Sequence, residues 1–420
     1  MGENDAHAQA LLAEHARCSL ATWRVGDLAV KLRTKVGVRG HPGVDGALLV
    51  LGEALRRGRI GPPAPAGARP RVLDLSGAPA ALPRWAAAAG IDADWTVALS
   101  SAAALAAARA ASADAPAVHA TLLAALPWEL SGAYDWIVWR PPADRGVRRV
   151  RAELAAVATR LAPEGAALLV QHKDEGAQRS EREAAAAFAS VSTVARASGW
   201  RVSEMRGPRP GAPVDPWGTF TPPAGAGAGG PVRALAGTFA ADKLDPGSAV
   251  LLRVLAASAR SDAEAATRAP RVLDLGCGTG LLARAALAGG AREVVAVDDD
   301  LAAVRSAAAQ IGDDPRARVV HADLLRPAEP AGAPHLAAGR FDEVWCNPPF
   351  HVGRQVVGAL SRAFVAAAHQ ALRPGGVAWF VVNRGLPYER ELAAWDGHAD
   401  VTPAGERAFT VWRATRGGRP

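Results

Sequence analysis

Short apolar runs alternate with alanine- and leucine-rich stretches through both halves of the chain. This is the pattern of a parallel sheet covered on both faces, and hence of an α/β fold. In the second half, Arg271–Leu275 reads as a strand, Leu281–Ala288 as a helix, 293–297 as a strand and 301–310 as a helix. Further strands are expected over 318–321, Phe341–Cys346 and 377–382, a helix over 356–371, and a closing edge strand over 409–413.

The pattern is doubled in detail. Arg71-Val72-Leu73-Asp74-Leu75 recurs as Arg271-Val272-Leu273-Asp274-Leu275, an offset of 271 − 71 = 200 residues. Tyr134-Asp135-Trp136-Ile137-Val138-Trp139-Arg140-Pro141-Pro142 returns as Phe341-Asp342-Glu343-Val344-Trp345-Cys346-Asn347-Pro348-Pro349. Leu161-Ala162-Pro163-Glu164-Gly165 returns as Leu372-Arg373-Pro374-Gly375-Gly376. Three matches in one order mean a duplicated domain, and 420 residues suit two cores of about 200 residues better than one. Residues 207–231 are dense in Pro and Gly, and 224–230 form a flexible linker by composition. A strand over 214–220 is expected to close the first copy. The domains are therefore drawn at 1–222, a linker at 223–234, and 235–420.

Half of the residues are hydrophobic and only 5% are aromatic, so the cores are built from Ala, Val and Leu with 12 Trp as anchors. The net charge of +7 points to an anionic partner. The basic residues are nearly all Arg, however, in a chain rich in Ala, Gly and Pro, a bias that a GC-rich genome also produces. Basic residues cluster between Arg17 and Arg59, and again at Arg140, Arg145, Arg148, Arg149 and Arg151. Each cluster is compatible with a solvated surface or with phosphate contact. Cys18, Cys277 and Cys346 form neither a disulfide framework nor a metal-ligand spacing, so no metal is expected. The first residues lack the regions of a signal peptide, and no apolar run reaches the ~18 residues of a membrane span. A cytoplasmic protein is expected.

The candidate chemistry lies in the second copy. Asp274-Leu275-Gly276-Cys277-Gly278-Thr279-Gly280 follows a strand and opens a helix, where glycines serve a tight turn and let a ligand approach the backbone. The order Gly-x-Gly-x-Gly with an acid two residues before it suits S-adenosylmethionine, whose ammonium group Asp274 can meet directly or through water. Asp298 ends the next strand about 20 residues on, where a carboxylate accepts ribose hydroxyls. Asp299 and Asp300 compete for that role, and Asp298 is preferred because it follows the strand directly. Asp323 is placed to meet the adenine amino group; a helix N-cap is the alternative.

Asn347-Pro348-Pro349-Phe350 follows another strand, 347 − 274 = 73 residues after Asp274. The prolines remove backbone donors and fix φ, so the loop is rigid. The Asn347 oxygen and the Pro348 carbonyl can then accept from one NH2 group, an exocyclic amine or a carboxamide. Methyl transfer from a sulfonium needs no strong base, and alignment supplies much of the acceleration. Phe350 offers a face on which a planar base can stack.

With these residues in place, the second half resembles the tandem-domain ribosomal RNA guanine-N2 methyltransferases, class I S-adenosylmethionine enzymes of the "small" methyltransferase type. The resemblance covers essentially 235–415. It includes Gly237-Thr238-Phe239, Lys243-Leu244-Asp245-Pro246-Gly247-Ser248, the glycine turn, Asn347-Pro348-Pro349-Phe350-His351, and Asn383-Arg384-Gly385-Leu386-Pro387-Tyr388. It implies two tandem Rossmann-like domains with the N-terminal one degenerate, and it adds Phe239, Asp245 and Gly247 as second-rank residues closing over the cofactor. In the first copy Ser76, Ala78 and Ala80 replace Gly276, Gly278 and Gly280, and Arg140 stands in place of Asn347. Arg140 can only donate, so the first copy is expected to bind neither cofactor nor the reacting base, and to dock or support RNA.

The function expected is methylation of a guanine N2 amine in ribosomal RNA, with the RNA or a ribosomal subunit as partner. N5-methylation of a protein glutamine fits the same acceptors, and a non-catalytic RNA-binding assembly factor is the third reading. The oligomeric state is not legible.

Overall fold

The computed structural model describes residues 17–62, 69–113, 119–209, 214–223, 229–261, 269–324, 338–349, 354–386, 388–393, 397–402 and 407–417, with isolated positions at 10, 13, 211 and 395. Phe350, His351 and Pro387 lie outside the described residues. Two compact units emerge, Cys18–Pro216 and Trp217–Pro420.

The first unit opens with an antiparallel pair, β1 (Ser19–Val25) and β2 (Leu28–Thr34), followed by helix α1 (Gly46–Arg56). Its main elements are β3 (Arg71–Leu75), α2 (Ala81–Ala88), β4 (Asp94–Leu99), α3 (Ala102–Ala113), β5 (Ala120–Ala124), β6 (Tyr134–Trp139), α4 (Val147–Arg160), β7 (Leu161–His172), α5 (Ala177–Ala187), β8 (Phe188–Ala197) and β9 (Trp200–Pro208). The seven strands from β3 to β9 form one sheet in the order β5-β4-β3-β6-β7-β9-β8. β3 to β7 pair in parallel, whereas β9 runs antiparallel to both β7 and β8.

The second unit repeats this plan. A pair formed by β10 (Trp217–Phe220) and β11 (Val232–Leu235) precedes α6 (Pro246–Ser261). Then come β12 (Arg271–Leu275), α7 (Leu281–Ala288), β13 (Glu293–Asp298), α8 (Leu301–Ile311), β14 (Ala317–His321), β15 (Phe341–Cys346), α9 (Arg354–Ala371), β16 (Leu372–Asn383), α10 (Tyr388–Ala393), β17 (His398–Thr402) and β18 (Phe409–Thr415). The order is β14-β13-β12-β15-β16-β18-β17, the same as in the first unit, so both copies are Rossmann-like α/β sheets as expected.

Two expectations are corrected. The strand over 214–220 does not close the first copy: its ordered part, β10, pairs with β11 and so opens the second. The strand at 409–413 is not an edge, because β18 lies between β16 and β17. The true edge, His-Ala-Asp-Val-Thr, is short and half polar, and it carries too little hydrophobic pattern to be read as a strand.

Side-chain alternation positions the site. In β12, Leu273 and Leu275 pack into the core under α9 and α10, whereas Val272 packs into the core under α6 and α7. Asp274 shares the parity of Val272 and so points to the α6 and α7 face. Asp298 in β13 and Asn347 after β15 have the same parity as their even-numbered neighbours Val294 and Ala296, and as Trp345, on that face. The three polar residues therefore stand on one side of three adjacent strand ends, at the point where the strand order reverses.

Candidate active site

The floor of the site is the turn after β12. The backbone N–H groups of Gly276 and Cys277 both donate to the carbonyl of Val297, at 2.9 and 3.0 Å, which ties the turn to β13. Gly276 has φ +80°, which only glycine adopts without strain. Gly280, also at φ +80°, serves packing: a Cβ there would lie 2.6 Å from the Cα of Ala307 in α8. Gly278 has open space on its Cβ side, where a ligand can approach.

Asp274 is buried beneath this turn. One carboxylate oxygen accepts from the Ala283 N–H at 2.9 Å, and the other, Oδ1, is buried without a hydrogen-bond partner. Burial pushes its carboxyl up to about 7, with the charge of Asp298 acting in the same direction. Burial also raises the Cys277 and Cys346 thiols, so neither is poised as a nucleophile.

The geometry separates the three consecutive acids at the end of β13. Asp300 caps α8, accepting from the Ala302 N–H at 3.0 Å, and is buried in that role. Asp298 accepts from the Gly278 N–H at 3.0 Å and from the Asp300 N–H at 2.9 Å, which holds its carboxylate against the glycine turn. Asp299 offers its carbonyl to His321 Nε2 at 2.9 Å. Asp323 lies just past β14; the residues that would form a helix after it fall outside the described ones.

Asn347 is held by α6. Its Nδ2 donates to Asp245 Oδ2 at 2.7 Å and to Ser248 Oγ at 2.9 Å. Its Oδ1 is buried and has no hydrogen-bond partner. Because a carboxylate only accepts, Asp245 identifies which end of the amide is nitrogen. The free end is therefore an acceptor. Pro348 is buried and Pro349 exposed.

Gly276, Cys277, Gly278, Phe239, Asp245 and Asn347 line one cavity. Asp274, Asp298, Gly280, Asp323 and Gly247 are absent from its lining. Gly247 instead makes room for the clamp on Asn347, since a Cβ there would lie 3.1 Å from Asp245 Oδ2. Ser248, Lys243 and Thr279 also line the cavity and were not singled out as site residues by sequence. Only the hydroxyl of Ser248 within reach of Asn347 marks it, and that requires the fold.

The first copy keeps a cavity at the matching place. Ser76, Ala78 and Pro79 line it where the glycine turn stands in the second copy. Strand register sets Leu99, buried, opposite the position of Asp298, since Val97 pairs with Asp74 as Ala296 pairs with Asp274. Asp45 caps α1 as Asp245 caps α6. Arg140 donates to Asp45 and to Glu175, and its guanidinium stacks 4.7 Å from the Trp200 ring centre. A cation thus fills the place of the acceptor.

The family described as "Methyltransferase small domain" matches residues 229–413. The structure of the T. thermophilus 16S rRNA N2 G1207 methyltransferase (RsmC) in complex with AdoMet and guanosine is 30% identical, with a TM-score of 0.77. That match covers 96% of this chain and 99% of that one. The ribosomal RNA large subunit methyltransferase G of Streptomyces coelicolor is 37% identical over 49% of this chain and 52% of that protein. The ribosomal RNA small subunit methyltransferase C of Alcanivorax borkumensis is 34% identical over 42% of this chain and 50% of that protein. The chain thus matches about half the length of these curated relatives. Since the match to the solved structure runs through both copies, the chain belongs to the tandem-domain ribosomal RNA guanine-N2 methyltransferases, a family that uses S-adenosylmethionine.

Proposed function

We propose that this chain methylates the exocyclic N2 amine of a guanine in ribosomal RNA. The observation that carries the reading is the buried, unpartnered Oδ1 of Asn347, a residue that lines the same cavity as the glycine turn. An acceptor held this way costs about 1–3 kcal/mol until a donor arrives, and an amine N–H is such a donor. Bound S-adenosylmethionine supplies a methyl group on a sulfonium. The amine nitrogen bonds to that carbon as the carbon–sulfur bond breaks toward sulfur, and the nitrogen then gives up a proton to water.

The remaining groups fit this cofactor. Asp274 Oδ1 would meet the ammonium group, Gly278 leaves space for close approach, and Asp298 would accept from the ribose hydroxyls. Asp323 is assigned to the adenine amino group, Phe239 to the cavity wall, and Pro348, Pro349 and Phe350 to the walls around the base. The target guanine must leave its stack to reach this depth.

Tritiated S-adenosylmethionine incubated with each ribosomal subunit, prepared from cells lacking this protein, tests the reading. Label is expected in RNA as N2-methylguanosine. Label in protein would point to glutamine methylation, and no label at any ionic strength to an assembly role.

A further inference from the structure

We propose that Asp245, aided by Ser248, is a positioning residue for the methyl transfer: it locks the Asn347 amide so that oxygen, not nitrogen, meets the substrate amine. This rests on the reading of Asn347 as the acceptor. An asparagine amide has nearly equal oxygen and nitrogen ends, and nothing within the Asn-Pro-Pro loop chooses between them. Asp245, 102 residues away in sequence, makes the choice at 2.7 Å. A flipped amide would set its oxygen against a carboxylate oxygen, which repels. The same contact withdraws electron density through the amide toward Oδ1 and strengthens it as an acceptor.

Asp245 is itself fixed. Its Oδ2 accepts from the Ser248 N–H at 2.7 Å, at the N-terminal end of α6, where the helix favours a negative charge. The space beside it exists because residue 247 is glycine: a Cβ would approach Asp245 Oδ2, Phe409 Cε1 and Asn347 Nδ2 at 3.1, 3.3 and 3.5 Å. The first copy gives an independent view. Asp45, at 245 − 45 = 200 residues earlier, also caps its helix and also faces the residue after the central strand. There the partner is Arg140 and the contact is an ion pair. The acid is common to both copies, and the residue it orients decides whether the loop can accept.

Two measurements on the full chain test this. Labelling with 15N-asparagine gives side-chain amide signals only from Asn4, Asn347 and Asn383, and the Asn347 pair is assigned by its loss in Asn347→Ala. In Asp245→Ala that pair should shift and broaden as the amide samples both orientations. Unchanged signals would overturn the proposal. In steady-state kinetics Asp245→Ala should lower kcat about 30- to 100-fold, with KM for RNA and calorimetric affinity for S-adenosylmethionine within about twofold. Asp245→Ser still caps α6 but cannot span to Asn347, and should match the Ala variant. Asp245→Asn keeps an oxygen toward Asn347 and should stay within about fivefold of wild type. Equal loss in the Asn and Ala variants, or wild-type kcat in the Ser variant, would overturn the positioning role. Failure of the wild-type chain to label RNA would sink the functional reading alone, because the amide signals need no turnover.

Discussion

Burial holds the Asp274 carboxyl up at about 7 beneath α7, well above an unfolded carboxylate. The sign follows from the two states. Below about pH 4 both forms are protonated and the folded chain loses nothing. As the pH rises toward 7 the unfolded carboxyl ionises while the folded one resists, and stability falls until both are ionised. Asp274→Asn should therefore flatten the decline in urea stability between pH 4 and 8. An ammonium group beside Asp274 favours the ionised form, so S-adenosylmethionine should bind more tightly as the pH rises to about 7, releasing a proton below it. Calorimetry in two buffers of different ionisation heat measures that proton, and a pH-independent affinity would remove Asp274 from the cofactor site. Asn347→Ala should lower kcat by about 10²- to 10³-fold and leave cofactor affinity within twofold, while Asp298→Ala should weaken cofactor binding first. Asn347 and Asp298 were legible because they end apolar strands. The part played by Asp245 was not, since its partner is distant in sequence and only the fold brings them together.

Among the elements, the link between the glycine turn and α7 shows what sequence pattern carries and what it hides. The turn announces itself by its glycines, yet only the structure separates Gly278, which faces open space, from Gly280, which lets α8 approach. Gly280→Ala should cost about 2–4 kcal/mol from overpacking against Ala307 and the left-handed backbone combined. The first copy holds Ala80 at the matching position with φ +52°, so Ala80→Gly should stabilise that unit by about 1 kcal/mol. Chemical denaturation of both variants checks the opposite signs, and a destabilised Ala80→Gly would mean the turns are not equivalent. The parallel strands were legible because both faces are apolar. The β10–β11 pair, α6 and β17 were not, because each is short, Pro- and Gly-flanked or half polar.

For the whole molecule, the proposal that one cavity of two works has a countable consequence: calorimetric titration of the full chain should reach saturation at one equivalent of S-adenosylmethionine. Two equivalents would mean the first copy has kept its cofactor. The second basic cluster of the sequence is divided: Arg140 and Arg149 are turned inward, whereas Arg145, Arg148 and Arg151 are exposed. Arg149 is buried against Glu153, Arg151 pairs with Glu183, and Arg140 is taken by Asp45 and Glu175. Arg24 and Lys31 remain exposed, at alternate positions of β1 and β2 whose side chains face solvent. Charge counted along a sequence therefore overstates what is available to a phosphate backbone. Among the described residues no helix is long and apolar enough to cross a membrane.

The locked amide also bears on when the reaction stops. With Nδ2 committed to Asp245 and Ser248, Asn347 offers one acceptor, and the Pro348 carbonyl is the second expected of the loop. An unmodified amine has two hydrogens and can satisfy both. Its monomethylated product has one, so it loses a hydrogen bond worth about 1 kcal/mol and leaves more readily than the substrate. A site arranged in this way counts hydrogens, and mass analysis of nucleosides over a time course should find the monomethylated base accumulating well ahead of any dimethylated one.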